Sequence, residues 1–376
     1  MRSHTLPAVV VLVSAFAALC AAQTPDEAVV PKFAEPSLKA DLPPNNFTFE
    51  IPKSEGVKID MVYVPGGKFL MGSPDAEAGR KSDEGPQRQV EVRPYWLAKT
   101  ELTWSQFAVF QRDVNLFMYD IENQKLKTPD AVTRPTNTYV DELYEHGRDG
   151  HPAICMSHHS AMMYCRWLQW KTGKRYRLPT EAEWEFACRA GTTTPYSFDD
   201  VAKLGDQAWF AENSKTAKDT DGSGDKGKAE EPTTHQVGKK KPNAFGLFDM
   251  HGNVWEWCLD QYFEKSYEKL PADKLSLGGF VKPAADVKWS HTVRGGSYAD
   301  APDRLRSAAR RGSEPVWIKD DPQGLSSIWW LTNMDVIGFR IALPVEEYPE
   351  LADLKPSLWK KPEASEKGVR KRVKNG

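Results

Sequence analysis

The chain has few cysteines, five in 376 residues, and none follows Cys258. No two stand in CxxC spacing, which removes a zinc knuckle and a thioredoxin-like dithiol. The eight histidines form no HExxH and no HxH pattern. His158-His159 is the one adjacent pair, and neighbouring helical positions diverge by about 100°, a poor metal clamp. Charge of one sign is lacking too. Lys and Arg number 50 against 52 Asp and Glu, a formal net charge of −2, so no nucleic-acid partner is expected. Long apolar runs are absent beyond the N-terminus. None approaches the roughly 18 residues that cross a bilayer, and no membrane span is expected.

What is present is a globular composition, 40% hydrophobic and 27% charged, with 13 tryptophans. Large aromatics let a loop-rich domain bury area without long helices. Arg2, the apolar stretch Ala8 to Ala18 and Cys20-Ala21-Ala22 have the order of a secretory signal cut near Gln23. Residues 1–22 are therefore expected to be removed, giving a secreted or periplasmic protein. Pro7, Ser14 and the short run argue against an anchor, and Leu19 before the cysteine against a lipoprotein. Residues 23–60, with prolines throughout, are expected to be a linker. From Lys355 to Gly376 eight Lys/Arg face two Glu, so 345–376 is expected to be a basic, mobile tail. The exported chain keeps Cys155, Cys165, Cys188 and Cys258. Their pairing is open, since four cysteines allow three full pairings.

The expected domain is 61–344. Met61-Val-Tyr-Val64, Pro65-Gly66-Gly67 and Lys68-Phe-Leu-Met71 predict strand, tight turn, strand. Further extended pieces fall at Val90–Val92 and Tyr95–Leu97. Thr103-Trp-Ser-Gln106 has capping-box spacing and predicts a helix start. A second helix is predicted from about Ser160 to Lys171, stopped by Gly173. A third follows Pro179, with Thr180 as N-cap and Glu183 completing the box. Residues 216–232 predict an exposed polar loop. The class is α+β with much irregular structure.

Six blocks then occur in a telling order. They are Val62-Tyr-Val-Pro-Gly-Gly-Lys-Phe-Leu-Met-Gly-Ser73, Lys99-Thr-Glu-Leu-Thr103 and Arg177-Leu-Pro-Thr-Glu-Ala-Glu-Trp-Glu185. Gly246-Leu-Phe-Asp-Met-His-Gly-Asn-Val-Trp-Glu-Trp257, Val293-Arg-Gly-Gly-Ser-Tyr298 and Ile337-Gly-Phe-Arg340 complete the series. In these the chain resembles the formylglycine-generating enzyme (sulfatase-modifying factor) family. The resemblance implies that family's variant of the C-type-lectin-like fold. Family oxidases convert a sulfatase cysteine to formylglycine with copper held by two cysteines just after Arg-Gly-Gly-Ser. Here that stretch, Arg294 to Arg306, contains no cysteine. Asp300 and Asp303 lie near the vacated positions, and carboxylates are hard ligands poorly matched to Cu(I). Copper is not expected. The family's disulfide partners for the positions of Cys165 and Cys188 are missing as well, with Ser307 and Ile341 in their places.

The resemblance also implies a structural calcium loop, with Asp249, Gly252, Val254 and Glu256 as ligands. Two carboxylates and two carbonyls exposed by a Gly-Asn turn suit a hard cation. The residue-level alternative is a hairpin with Trp255 and Trp257 on one face. A second family calcium site is matched by Asn213 and Ser214 alone. Trp255 and Ser297 match the family's pocket. Glu181, Glu183 and Glu185 are expected to serve capping and the helix dipole rather than catalysis. Arg304, Arg306, Arg310 and Arg311 are expected to join structural ion pairs, with an anion clamp as the alternative. The expected function is an exported binding or accessory protein, a pseudoenzyme holding an unidentified peptide or small molecule. The alternative is an active oxidase of a sulfatase cysteine. An iron sulfoxide synthase would need an added His-rich helical domain, and a lectin role would follow from fold alone.

Overall fold

The computed structural model describes residues 37, 39–113, 119–120, 125–126, 146–216, 231–269, 290–318, 328–331 and 333–352. These fall within a compact unit spanning Ala34–Gly376. The expected signal peptide, the tail beyond 352 and most of the polar loop lie outside the described residues.

The strands in chain order are β1 (Phe47–Glu50), β2 (Lys58–Val64), β3 (Gly67–Met71), β4 (Arg88–Val92) and β5 (Tyr95–Ala98). Two-residue pieces β6 (Tyr119–Asp120), β7 (Lys125–Leu126), β8 (Lys215–Thr216) and β9 (Glu231–Pro232) follow. β10 (Trp255–Gln261), β11 (His291–Arg294), β12 (Arg310–Gly312), β13 (Ile337–Gly338) and β14 (Ala342–Pro344) complete the set. One sheet runs β1-β2-β5-β14 and a second runs β12-β11-β10-β13. The architecture is α+β with few regular elements.

Two boundaries differ from those expected. β1 pairs with β2 in the register Phe47↔Met61 to Glu50↔Lys58, and Ile51 is fully buried. Residues 47–50 and 58–60 are thus sheet, joined by a turn that buries Ile51, rather than linker. At the other end Glu347 pairs with Arg177 at 2.8 Å, and Tyr348 and Leu351 are buried, so 345–351 belong to the fold. The Pro65-Gly66-Gly67 turn also closes no hairpin. Both edges of β2 are taken, by β1 and β5, so β3 leaves to pair with β4. Gly66 makes that departure at φ 71°, where a Cβ would stand 2.5 Å from the Val92 carbonyl oxygen.

The helices obey their caps. In α1 (Trp104–Arg112) the Thr103 N–H donates to Gln106 Oε1 at 2.8 Å while Gln106 N–H returns to the Thr103 hydroxyl. α2 (His158–Thr172) starts two residues before the expected Ser160, capped by Ser157, and stops at Gly173 in the left-handed region. α3 (Glu181–Arg189) carries the reciprocal Thr180–Glu183 box. Phe107, Phe110, Tyr164 and Trp167 join α1 to α2 in one aromatic cluster, with Phe110 and Trp167 centroids 5.5 Å apart.

The second sheet sorts the site. Glu256 pairs with Arg294 and Arg294 with Arg310, while Trp257 pairs with Val293 and Val293 with Arg311. Alternate strand residues face opposite sides of a sheet. The row that begins at Glu256 therefore lies against α3, and the row that begins at Trp257 faces away from it.

Candidate functional site

The α3 side of this sheet is ionic. Arg294 donates to Glu181 at 2.8 Å and Glu185 at 2.6 Å, and Arg310 donates to Glu181 at 2.7 Å. Arg177 joins Glu183 at 2.6 Å, and all these side chains are buried. Glu183 does cap the helix, but Glu181 and Glu185 do more than the expected dipole work. They neutralise guanidinia that reach out of the second sheet. Arg306 joins Glu77 and Glu84 in the same structural manner.

The calcium-loop residues meet at one buried place. Asp249 Oδ2 accepts from the Gly238 N–H at 2.6 Å, while its Oδ1 is buried without a partner. Glu256 accepts from Trp184 Nε1 at 2.8 Å and from Arg340 Nε and Nη2, both at 2.6 Å. Val254 N–H donates to Glu101 Oε1 at 3.2 Å, and Asn253 Nδ2 to Glu101 Oε2 at 2.9 Å. Gly252 sits at φ 90°, where a Cβ would lie 2.0 Å from the Trp209 carbonyl oxygen. The segment is therefore a tight loop leading into β10 and not a hairpin turn. Trp255 and Trp257 still share one face, as strand alternation requires.

Glu101 is a member that sequence reasoning misses. Of three buried carboxylates, Glu101, Asp249 and Glu256, only Glu256 is ion-paired with Arg340, which acts on the other two at longer range, as Lys240 does on Asp249. Burial, and after it the charges of Asp249 and Glu256, push the Glu101 carboxyl well up. Burial, only partly countered by the Gly238 N–H, pushes Asp249 up to about 6. Among the described residues no group of three His, Cys, Asp or Glu side chains is arranged to hold a metal ion. What the loop offers a hard cation is the orphaned Asp249 Oδ1 beside the Gly252 and Val254 backbone.

Asn213 and Ser214 lie elsewhere and are held internally. Asn213 accepts from Phe210 N–H and donates to the Ala208 carbonyl, both at 2.9 Å. The Ser214 hydroxyl donates to the Tyr298 carbonyl at 2.7 Å. Both of them brace a turn.

The two pocket residues come together through a third. Trp255 Nε1 donates to Asp300 Oδ2 at 2.8 Å, and the same oxygen accepts from the Ser297 hydroxyl at 2.5 Å and the Ser297 N–H at 3.0 Å. Next to Ser297, the Tyr298 hydroxyl bonds Asp335, which also meets His146 Nε2 at 3.1 Å. Asp303 is exposed, and its backbone carbonyl accepts from Arg306 at 2.9 Å.

Cys155, Cys165, Cys188 and Cys258 are buried thiols. Cys188 Sγ lies 3.6 Å from the Ser307 hydroxyl, so the residue in the missing partner's position does stand opposite it. Burial pushes the Cys188 thiol up to about 12 and raises the Cys165 and Cys258 thiols as well, which makes them poor thiolate donors. Cys155 is close enough to Tyr298 to act on it electrostatically. A single thiol there, with the carboxylate of Asp300, does not make a two-thiolate copper site.

An α+β body with this buried carboxylate loop and this hydrogen-bonded Trp–Ser–Asp cluster has the architecture of formylglycine-generating enzymes. The chain belongs to the sulfatase-modifying factor enzyme 1-like family, whose model matches residues 48–325. It is 31% identical to a formylglycine-generating enzyme of Mycobacterium tuberculosis, over 67% of this chain and 91% of that one. It is 28% identical to an inactive C-alpha-formylglycine-generating enzyme 2 of Bos taurus, over 71% of this chain and 87% of that one. Among solved structures, PvdO from Pseudomonas aeruginosa superposes with a TM-score of 0.54 at 27% identity, covering 81% of this chain and 100% of its own.

Proposed function

We propose that the chain is an exported, calcium-stabilised binding or accessory protein of this family, without copper-dependent formylglycine-generating activity. One observation carries the reading. Near the positions where the family's oxidases carry copper thiolates, this chain has Asp300, and three N–H and O–H donors from Trp255 and Ser297 hold its carboxylate. A carboxylate so occupied, flanked by no pair of thiols, does not fit Cu(I). The bovine relative's description as inactive supports the same direction.

Calcium enters through the orphaned oxygen of Asp249. Asp249 Oδ1, Glu256 and the carbonyls of Gly252 and Val254 would hold it, with Glu101 beside them. Bound there, the ion supplies structural charge neutralisation. Binding to the native state alone raises stability by RT ln(1 + [L]/Kd), about 2.7 kcal/mol at a hundredfold excess over Kd. A chelator should lower the melting temperature of the wild type, and Asp249→Ala should erase that response. Insensitivity of the wild type to both calcium and chelator would exclude a structural role for calcium.

A further inference from the structure

Of the four arginines between Arg304 and Arg311, two are consumed by the fold. Arg306 and Arg310 end on Glu77, Glu84 and Glu181. The other two are not. Among the described residues no carboxylate lies within ion-pair distance of Arg304 or Arg311, and neither side chain has a hydrogen-bond partner. Each rests instead on an indole. The Arg304 guanidinium carbon lies 5.2 Å from the Trp255 ring centroid, and that of Arg311 lies 5.0 Å from the Trp317 centroid.

The strand register explains the division. Arg310 and Arg311 are neighbours on β12 and must face opposite sides of the sheet. Arg310 turns to α3 and its glutamates. Arg311 lies in the row Trp257–Val293–Arg311, on the face that carries Trp255 and Trp257. Trp257 and Trp317 centroids are 5.8 Å apart, so Arg311 tops an aromatic wall. Trp255, under Arg304, is the residue that anchors Asp300. The two cations therefore lie on the Trp255–Asp300 side of the sheet rather than in the ionic core.

Two features mark the pair as awaiting an acceptor. Arg304 Nη1 is a buried donor with nothing to donate to, and such groups are rare in folded proteins. Burial holds the Arg311 guanidinium below its ordinary value, and the like charge of Arg304 adds to this against the pull of Asp300 and Glu314. Asp300 acts on Arg311 from beyond ion-pair distance, and its Oδ2 is held by Trp255 and Ser297.

We propose that Arg304 and Arg311, seated on Trp255 and Trp317 beside Asp300, form a binding site for an oxyanion, the carboxylate or phosphate group of a small ligand. A guanidinium held over an indole keeps its planar N–H fork, the geometry that matches two oxygens of one anion. The assignment deepens the binding-protein reading above by naming the ligand's charged group, and it rests on that reading for its purpose.

The test is calorimetric titration of the calcium-loaded full-length protein with acetate and, separately, inorganic phosphate, at constant ionic strength set by sodium chloride. The expected result is saturable binding of at least one, the preference between them naming the source. Arg304→Gln and Arg311→Gln should each weaken it roughly tenfold or more, a large change in binding constant. Arg311→Lys keeps the charge but loses the fork and should also bind more weakly. Lys203→Gln, a change at an exposed lysine, should bind as the wild type does. Absence of saturable binding of both anions, or equal affinity in folded arginine variants, would overturn the assignment. Neither titration uses copper or a cysteine peptide, so its failure leaves the non-oxidase reading standing.

Discussion

The indole of Trp255 donates its hydrogen to the carboxylate of Asp300 at 2.8 Å, and this bond ties the tryptophan-rich strand to the loop after Arg294-Gly-Gly-Ser. Trp255 is fully buried, as is Ser297, which gives the same oxygen two more hydrogens. The aspartate thus organises the loop after Arg294-Gly-Gly-Ser, a stretch without cysteine.

Asp300→Ala should leave the Trp255 indole and the Ser297 hydroxyl buried without an acceptor. The expected cost is about 1–3 kcal/mol, measured by denaturant unfolding. Asp300→Asn, which retains a carbonyl acceptor, should cost less. Equal stability of Asp300→Ala and wild type would contradict the assigned role.

Ser307→Cys should restore a lost crosslink. Cys188 Sγ and the Ser307 hydroxyl lie 3.6 Å apart across a sequence separation of 119 residues. A rotamer adjustment brings two sulfurs to bonding distance. Under oxidising conditions the variant should show two fewer thiols than its reduced form. It should also be stabler than wild type, by up to about 4–5 kcal/mol for a loop of this length. Thiol titration in denaturant checks the first point and melting the second. Full thiol content after oxidation would show that the two positions do not meet.

Stability should also depend on pH through Asp260. Its Oδ2 accepts from the Glu181 N–H at 2.6 Å and its Oδ1 is buried without a partner. Burial, and then the charge of Glu181, push the carboxyl up to about 7, with Arg310 opposing and Glu183 adding to the rise. The folded chain therefore binds this proton more tightly than the unfolded chain, whose aspartates titrate near about 4. The stability linked to Asp260 is full below about pH 4 and is lost as pH rises through 7. Asp260→Asn should flatten that fall, seen as a smaller drop in melting temperature between acid and mildly alkaline buffer. An unchanged slope would remove Asp260 as its cause.

How far the sequence alone reaches depends on how local the determining interaction is. Thr103–Gln106 and Thr180–Glu183 bind each other within one turn, and both helix starts are legible from spacing. Asp249, Val254 and Glu256 sit close in sequence, so one motif brings them to one loop. Glu101 joins them from a separation of 153 residues, through the Val254 N–H, and nothing beside it announces a buried carboxylate. The division of Arg310 from Arg311 needs the strand register, which only the paired sheet supplies. The prolines around β1 mask it, although Phe47-Thr-Phe-Glu50 alternates as a half-buried strand does.

On the proposed reading this protein does not oxidise a sulfatase cysteine. The most direct test of that claim gives the purified protein Cu(I), oxygen and a sulfatase-type cysteine peptide, and follows the peptide by mass spectrometry. The expected result is a peptide mass unchanged from the copper-only control. Conversion of the cysteine to an aldehyde beyond that control would contradict the claim.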